Sequence, residues 1–173
     1  VEYLCENFEI ASLDTVASHL REGKPLSARV AAITLDDGYR DNYVHAYPIL
    51  RKHGAPATIF LTTGHVGTSN LFWWDKVRYA VQHIGVHQLH LAECGSYKLD
   101  SALDRRRAGL EIVQKMKKIS DRRKNALIAR LVDTSELKMS DDVASEVILS
   151  WEEVAIMSQN GIDFGAHTVN HPI

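Results

Sequence analysis

The sequence predicts an α/β fold, and three features carry that expectation. A nearly continuous apolar run, Val30 to Leu35, suits a strand buried on both faces, as in a parallel sheet or barrel. A segment with helical spacing and a second apolar run, Ala57 to Leu61, follow it, forming a strand, helix, strand unit whose crossover should be right-handed. A third short run, Ile162 to Ala166, delivers His167-Thr168-Val169-Asn170-His171 at its C-terminal end.

The elements follow in chain order. Phe8, Ile10, Leu13, Val16, Ala17 and Leu20 recur at mostly three- and four-residue steps ahead of Gly23 and Pro25. This predicts one amphipathic helix with a stop signal and its Leu and Val positions in the core. The strand at 30–35 runs directly into Asp36, Asp37 and Gly38. Tyr43, Ala46, Tyr47 and Leu50 then predict a helix between Tyr39 and His53, with Pro48 an awkward member and Gly54 the stop. From Thr62 to Ser69 the chain is rich in Gly and Thr, which marks a loop at the end of the second strand. Sites of α/β folds are built from such loops.

The region from about 72 to 146 reads as a helical insertion. Phe72-Trp73-Trp74-Asp75 leads into a helix through Val77, Ala80 and Val81, and Leu89-His90-Leu91 has the look of a short strand. Between Asp104 and Leu131 there are ten Lys or Arg against three Asp or Glu, interleaved with apolar residues at helical spacing. The simplest reading of that charge is the solvated face of amphipathic helices; the other is a patch that attracts an anionic glycan or a phosphate-bearing substrate. Trp73 and Trp74 likewise admit two readings, stacking on a sugar ring or packing beneath the insertion. Past it, Ser150 with Glu153 forms a capping box that opens a helix running to Asn160-Gly161.

At 173 residues, 45% hydrophobic and 24% charged, the chain has the size and balance of one globular domain with a real core. A formal net charge of −2 gives no global push toward nucleic acid or membrane. Cys5 and Cys94 lie far apart without paired spacing, which argues against a disulfide framework and a thiolate metal site. No stretch reaches the roughly 20 apolar residues that cross a bilayer, and the N-terminus lacks a basic segment followed by an apolar core. A cytoplasmic location is slightly favoured on that ground. Starting at Val1 and stopping at Ile173, the chain is expected to be a fragment cut at both ends. Oligomeric state is not legible.

Asp36 and Asp37 at the end of an apolar strand are unusual, because strands exclude Asp and burying an unpaired carboxylate is costly. One bland reading has Asp37 as the N-cap of the next helix and Asp36 facing solvent. Against it stand His167 and His171, four apart, which on a helical turn project from one face and grip one ion through two nitrogens. Two imidazoles and one carboxylate leave coordination positions open, the pattern of a catalytic rather than a structural metal. The second, non-ligating carboxylate can then take a proton from an attacking water.

Thr34-Leu35-Asp36-Asp37-Gly38 and His167-Thr168-Val169-Asn170-His171 closely resemble the first two signature motifs of the polysaccharide deacetylases, carbohydrate esterase family 4. Leu35 stands where that family usually has Phe, a conservative apolar change. Ala55 to Phe60 looks like the family's second strand, and the resemblance spans nearly the whole chain outside the insertion. It implies the N-terminal portion of an irregular (β/α) barrel, commonly of seven strands, in a single domain truncated at its C-terminus. It also implies Asp36 as catalytic base, Asp37, His167 and His171 as metal ligands, and Thr168 holding the motif loop by hydrogen bonding. The activity implied is hydrolysis of N-acetyl groups on N-acetylhexosamine units of a polysaccharide, oligosaccharide or glycan precursor. Its cofactor is a divalent metal ion, zinc favoured, with cobalt, nickel or manganese able to occupy the same donors.

The family's general acid, its base-orienting arginine and its aromatic wall are expected beyond Ile173. No substrate-binding residue is therefore assigned, and His45, His53 and His65 are read as ordinary surface or packing residues. Two other classes compete. One is a catalytically incomplete glycan-binding or scaffolding domain of the same fold. The other is a phosphoryl-transfer enzyme with Asp36 as nucleophile, disfavoured because no phosphate-cradling glycine loop is present.

Overall fold

A computed structural model describes residues 1–135 and 146–172. They fall into two compact units, one of residues 1–70 with 146–172 and the other of residues 71–135.

In the first unit the mixed α/β class is realised as a parallel three-stranded sheet. Strands β3 (Ile33–Asp37), β4 (Ala57–Leu61) and β7 (Ile162–Ala166) lie in the order β3-β4-β7. Central β4 is buried at four of its five positions, as a run of Ala, Thr, Ile and Leu between two neighbours should be. β3, at one side of the three, alternates between half-buried and exposed residues, so the expectation of burial on both faces fails there. Leu50, Leu149 and Met157 pack with Ile59 and Leu61 of β4 and Ile162 of β7 in the core of this unit. Six fully buried side chains of this size are worth on the order of 10 kcal/mol of gross burial energy.

The N-terminal region differs from the single helix that its spacing predicts. α1 (Glu2–Asn7) is followed by a short strand β1 (Glu9–Ile10), and only then by α2 (Leu13–Glu22). The cause is tertiary. β1 pairs in parallel with β2 (Val30–Ala31), and Glu9 N–H donates to Arg29 O at 2.7 Å, which draws Phe8 and Ile10 out of helical geometry. α2 keeps the expected stop, with Gly23 at φ 64°, and Ser12 Oγ caps its start by accepting from Thr15 N–H. No α2 residue is buried and Leu20 is 68% exposed, so its apolar positions are not core as expected.

The segment after β3 also departs from one continuous helix. A π-helical turn, Asn42–Ala46, precedes α3 (Tyr47–Lys52). Pro48 has no N–H to give to Val44 and its ring crowds that carbonyl. The widened turn moves the proline into the first turn of a new helix, where neither matters.

In the second unit α4 (Trp73–His83), α5 (Ala102–Met116) and α6 (Asp121–Thr134) pack around a core that includes Val77, Val81, Ile112, Met116 and Leu131. The insertion is not purely helical. β5 (Gln88–Leu91) pairs with β6 (Gly95–Lys98) as an antiparallel hairpin. Residues 136–145 of the expected insertion lie outside the described residues. Lys124, only 4% exposed, is balanced by Asp121 Oδ1 at 2.6 Å and by the Trp73 ring, whose centroid is 4.8 Å from Nζ. Trp74 stacks on Phe72 with centroids 4.6 Å apart. Both tryptophans are partly buried against the core, which favours the packing reading for them.

Among the described residues no helix is long and apolar enough to cross a membrane.

Candidate metal centre

The parallel register sets the site. Asp37 and Ala166 both pair with Leu61 of the strand between them, so the C-terminal ends of β3 and β7 stop on one row. Beyond that row the ladder continues into the loops. Thr62 N–H donates to Asp37 O at 3.2 Å and His167 N–H donates to Leu61 O at 2.7 Å. Thr63 and Gly64 amides then donate to Thr168 O and Val169 O at 3.1 and 2.8 Å. The Gly/Thr loop after β4 is thus a backbone splint for the histidine segment.

That splint needs glycine at 64. A Cβ there would meet Val169 O at 2.6 Å and Asn170 Oδ1 at 2.7 Å, both inside van der Waals contact. Gly38 is constrained twice, by φ 81° and by Leu61 Cδ2, which would lie 2.8 Å from an added Cβ.

His167 and His171 do not sit on a helical turn. The 167–172 segment is irregular, with Thr168 at φ 66° and His171 at φ 48°, and Thr168 Oγ1 accepts from His171 N–H at 2.9 Å. Two left-handed residues and one side-chain bond fold the segment back, leaving the imidazole centroids 5.0 Å apart. The four-residue spacing is right, but a turn rather than a helix uses it.

Asp37 is the last residue of β3, at φ 72°, and caps no helix; the next helical turn starts after Asp41. Its Oδ1 lies 3.3 Å from His171 Nε2 and 3.5 Å from His167 Nε2. One donor atom from each of the three residues lies within 4.8 Å of the others. Asp37 Oδ1 is shielded from solvent and accepts no hydrogen bond among the described residues. A shielded carboxylate oxygen without a donor is costly. Two ligands about 2.0–2.1 Å from one tetrahedral ion lie about 3.3 Å apart, which is the separation Asp37 keeps from the imidazoles. The three residues therefore fit a divalent cation.

Asp36, next to it, faces solvent and takes no side-chain hydrogen bond or ion pair among the described residues. Strand alternation separates it from its neighbour, so the structure gathers Asp37, His167 and His171 but not Asp36. His45 is exposed, and His65 Nδ1 is engaged with Asn70 O at 2.8 Å. The supporting roles of Thr63 and Gly64 are absent from the sequence reading; their one visible signal was the Gly/Thr richness of the loop.

A family model described as polysaccharide deacetylase matches residues 23–173. The chain is 39% identical over 64 residues to YxkH of Bacillus subtilis (strain 168), a stretch covering 37% of this chain and 23% of that protein. It is 47% identical over 45 residues to the poly-beta-1,6-N-acetyl-D-glucosamine N-deacetylase of Staphylococcus aureus (strain MSSA476), covering 26% of this chain and 16% of that one. Both matched stretches are thus less than a quarter of the relatives' length. Among solved structures, the Streptococcus pyogenes deacetylase PplD in complex with acetate is 20% identical with a TM-score of 0.48, covering 98% of this chain and 42% of that chain.

Proposed function

Since the chain belongs to the polysaccharide deacetylase family, we propose that it forms part of a metal-dependent hydrolase that removes N-acetyl groups from N-acetylhexosamine units of a glycan. The observation that carries this reading is the convergence of Asp37, His167 and His171 around a shielded carboxylate oxygen at the C-terminal edge of the sheet. Those residues would hold a divalent ion, zinc favoured by two nitrogen donors and one oxygen, with cobalt, nickel and manganese compatible. When bound, such an ion supplies Lewis acidity toward the acetamide carbonyl and acidifies a water.

The rest is the work of side chains. Asp36, exposed and without a side-chain partner among the described residues, would accept the proton that the attacking water loses. Asp37 cannot share that role while its Oδ1 faces the two imidazoles. Thr168 keeps the histidine segment folded through its bond to the His171 amide. The region from about 72 to 146 is read as an insertion into this deacetylase domain, and its described part falls in a compact unit of its own.

Elemental analysis of the purified chain, with His167→Ala measured in parallel, tests the centre. Near-stoichiometric divalent metal that the variant loses is the expected result. Absence of metal from both samples after zinc supplementation would remove the support for it.

A further inference from the structure

In the second unit α4 and α5 enclose a cleft of about 350 Å³ lined by Arg78, Gln82, Arg105, Arg106 and Leu110. Gly109 of α5 abuts Arg78 of α4, where an added Cβ would lie 3.6 Å from the Arg78 Cα. This close approach of the helices puts arginines from both at one opening.

Arg105 is fixed. Its Nη1 donates to Val81 O, Gln82 O and Ile84 O, the last at 2.7 Å, and its Nη2 donates to Val86 O at 3.1 Å. These are carbonyls at and after the C-terminal end of α4, where a cation is favoured, but they carry no full negative charge. Arg106 has no carboxylate within 4 Å among the described residues. Among the described residues Arg78 reaches one carboxylate, Asp75, at a loose 3.7 Å. Three guanidinium groups at one cleft, with one distant carboxylate among the described residues, repel one another and leave donors unused. Ordinary solvated helix faces spread such charge along their length; here it converges, with exposed Leu110 offering an apolar wall.

We propose that this cleft binds an anionic group, a carboxylate or phosphate carried on a glycan. Arg78 and Arg106 grip it through paired N–H donors, and Arg105 supplies a pre-positioned charge. The glycan as carrier rests on the deacetylase reading; the anion site does not.

The test measures binding calorimetrically on the metal-free chain, so that failure of the metal centre leaves the readout untouched. The probes are tetragalacturonate, inorganic phosphate and the uncharged chitotetraose. The variants are Arg78→Gln/Arg106→Gln, which leaves Arg105 in place, and Lys117→Gln/Lys118→Gln, which removes equal charge from an exposed stretch off the cleft. Both variants are checked for unchanged thermal melting. Loss of about tenfold in affinity for tetragalacturonate in the arginine variant, with little change in the lysine variant and none for chitotetraose, is expected. The same pattern for phosphate alone supports the site and assigns it to a phosphate group. Equal losses in the two variants, or no binding of either anion by the unmodified chain, would overturn the proposal.

Discussion

Arg40 Nε donates to Glu153 Oε1 at 2.8 Å, while Oε2 of the same carboxylate accepts from the Ser150 amide at 3.0 Å. The pair joins the segment just after the Asp36-Asp37 strand end to the first turn of α7 (Trp151–Ser158), the helix that leads into β7 and His167. Backbone bonds run beside it, Leu149 N–H to Gly38 O at 3.0 Å and Arg40 N–H to Val147 O at 2.8 Å. Hydrogen bonding to Glu153, with its charge, holds the Arg40 guanidinium above its ordinary value. Ser150→Ala, which removes the hydroxyl that accepts from Glu153 N–H at 3.1 Å, should cost about 1 kcal/mol in thermal denaturation. Arg40→Ala and Glu153→Gln should each lower Tm, with a double variant milder than the sum; strict additivity would show that the pair is not coupled.

Dividing the two carboxylates gives a second expectation. Asp36→Asn should abolish deacetylation of an acetylated chitooligosaccharide by a protein that includes this domain, and leave its metal content nearly intact. Asp37→Asn should lose both. Equal metal loss in the two variants, read by elemental analysis, would refute separate roles for neighbours that the strand turns in different directions.

Gly64→Ala probes the splint. The added methyl carbon has no room against Val169 O and Asn170 Oδ1, and a backbone atom yields less readily than a flexible side chain. A destabilisation of about 1–3 kcal/mol in chemical denaturation is expected. Zinc affinity should weaken with it, because the atoms displaced, Val169 O and Asn170 Oδ1, belong to the segment that carries both histidines. Unchanged affinity would mean that the histidine segment holds its shape without the 63–64 amides.

A pH dependence follows from the α5 cap. Ser101 Oγ–H donates to Asp104 Oδ2 at 2.6 Å and the Ser101 amide donates to the same oxygen at 3.1 Å. The Ser101 hydroxyl, ahead of the opposing desolvation, holds the Asp104 carboxyl below its ordinary value. A group depressed on folding stabilises the fold above its unfolded pKa, about 3.9, and loses that contribution as pH falls through the folded value. The Tm gap between the unmodified chain and Asp104→Ala should therefore be full at pH 7 and shrink below about pH 4. A gap that widens on acidification would contradict the sign.

Much was legible in the sequence because it is local. The third strand, Ile162–Ala166, has the bounds its apolar run predicts, and the Ser150 and Glu153 capping box opens its helix as expected. Periodicity and capping depend on residues within four positions of one another, so a window of sequence contains the whole cause. The residue types of the candidate site stand out in the sequence for a similar reason, since carboxylates at the end of an apolar strand have few bland explanations. Tertiary structure decided the rest. The pull of β2 on β1 overrode a helical spacing, and Pro48 was accommodated by a widened turn rather than by a helix end. Asp37 meets His167 and His171 only because β3 and β7 share the β4 neighbour in a common register. The left-handed backbone of Thr168 and His171 has no local signal in non-glycine residues; it follows from the turn bond and the amides of Thr63 and Gly64. Contacts between residues far apart in the chain, such as Thr63 and Thr168, set the distances within the candidate metal centre, and no window of sequence contains them.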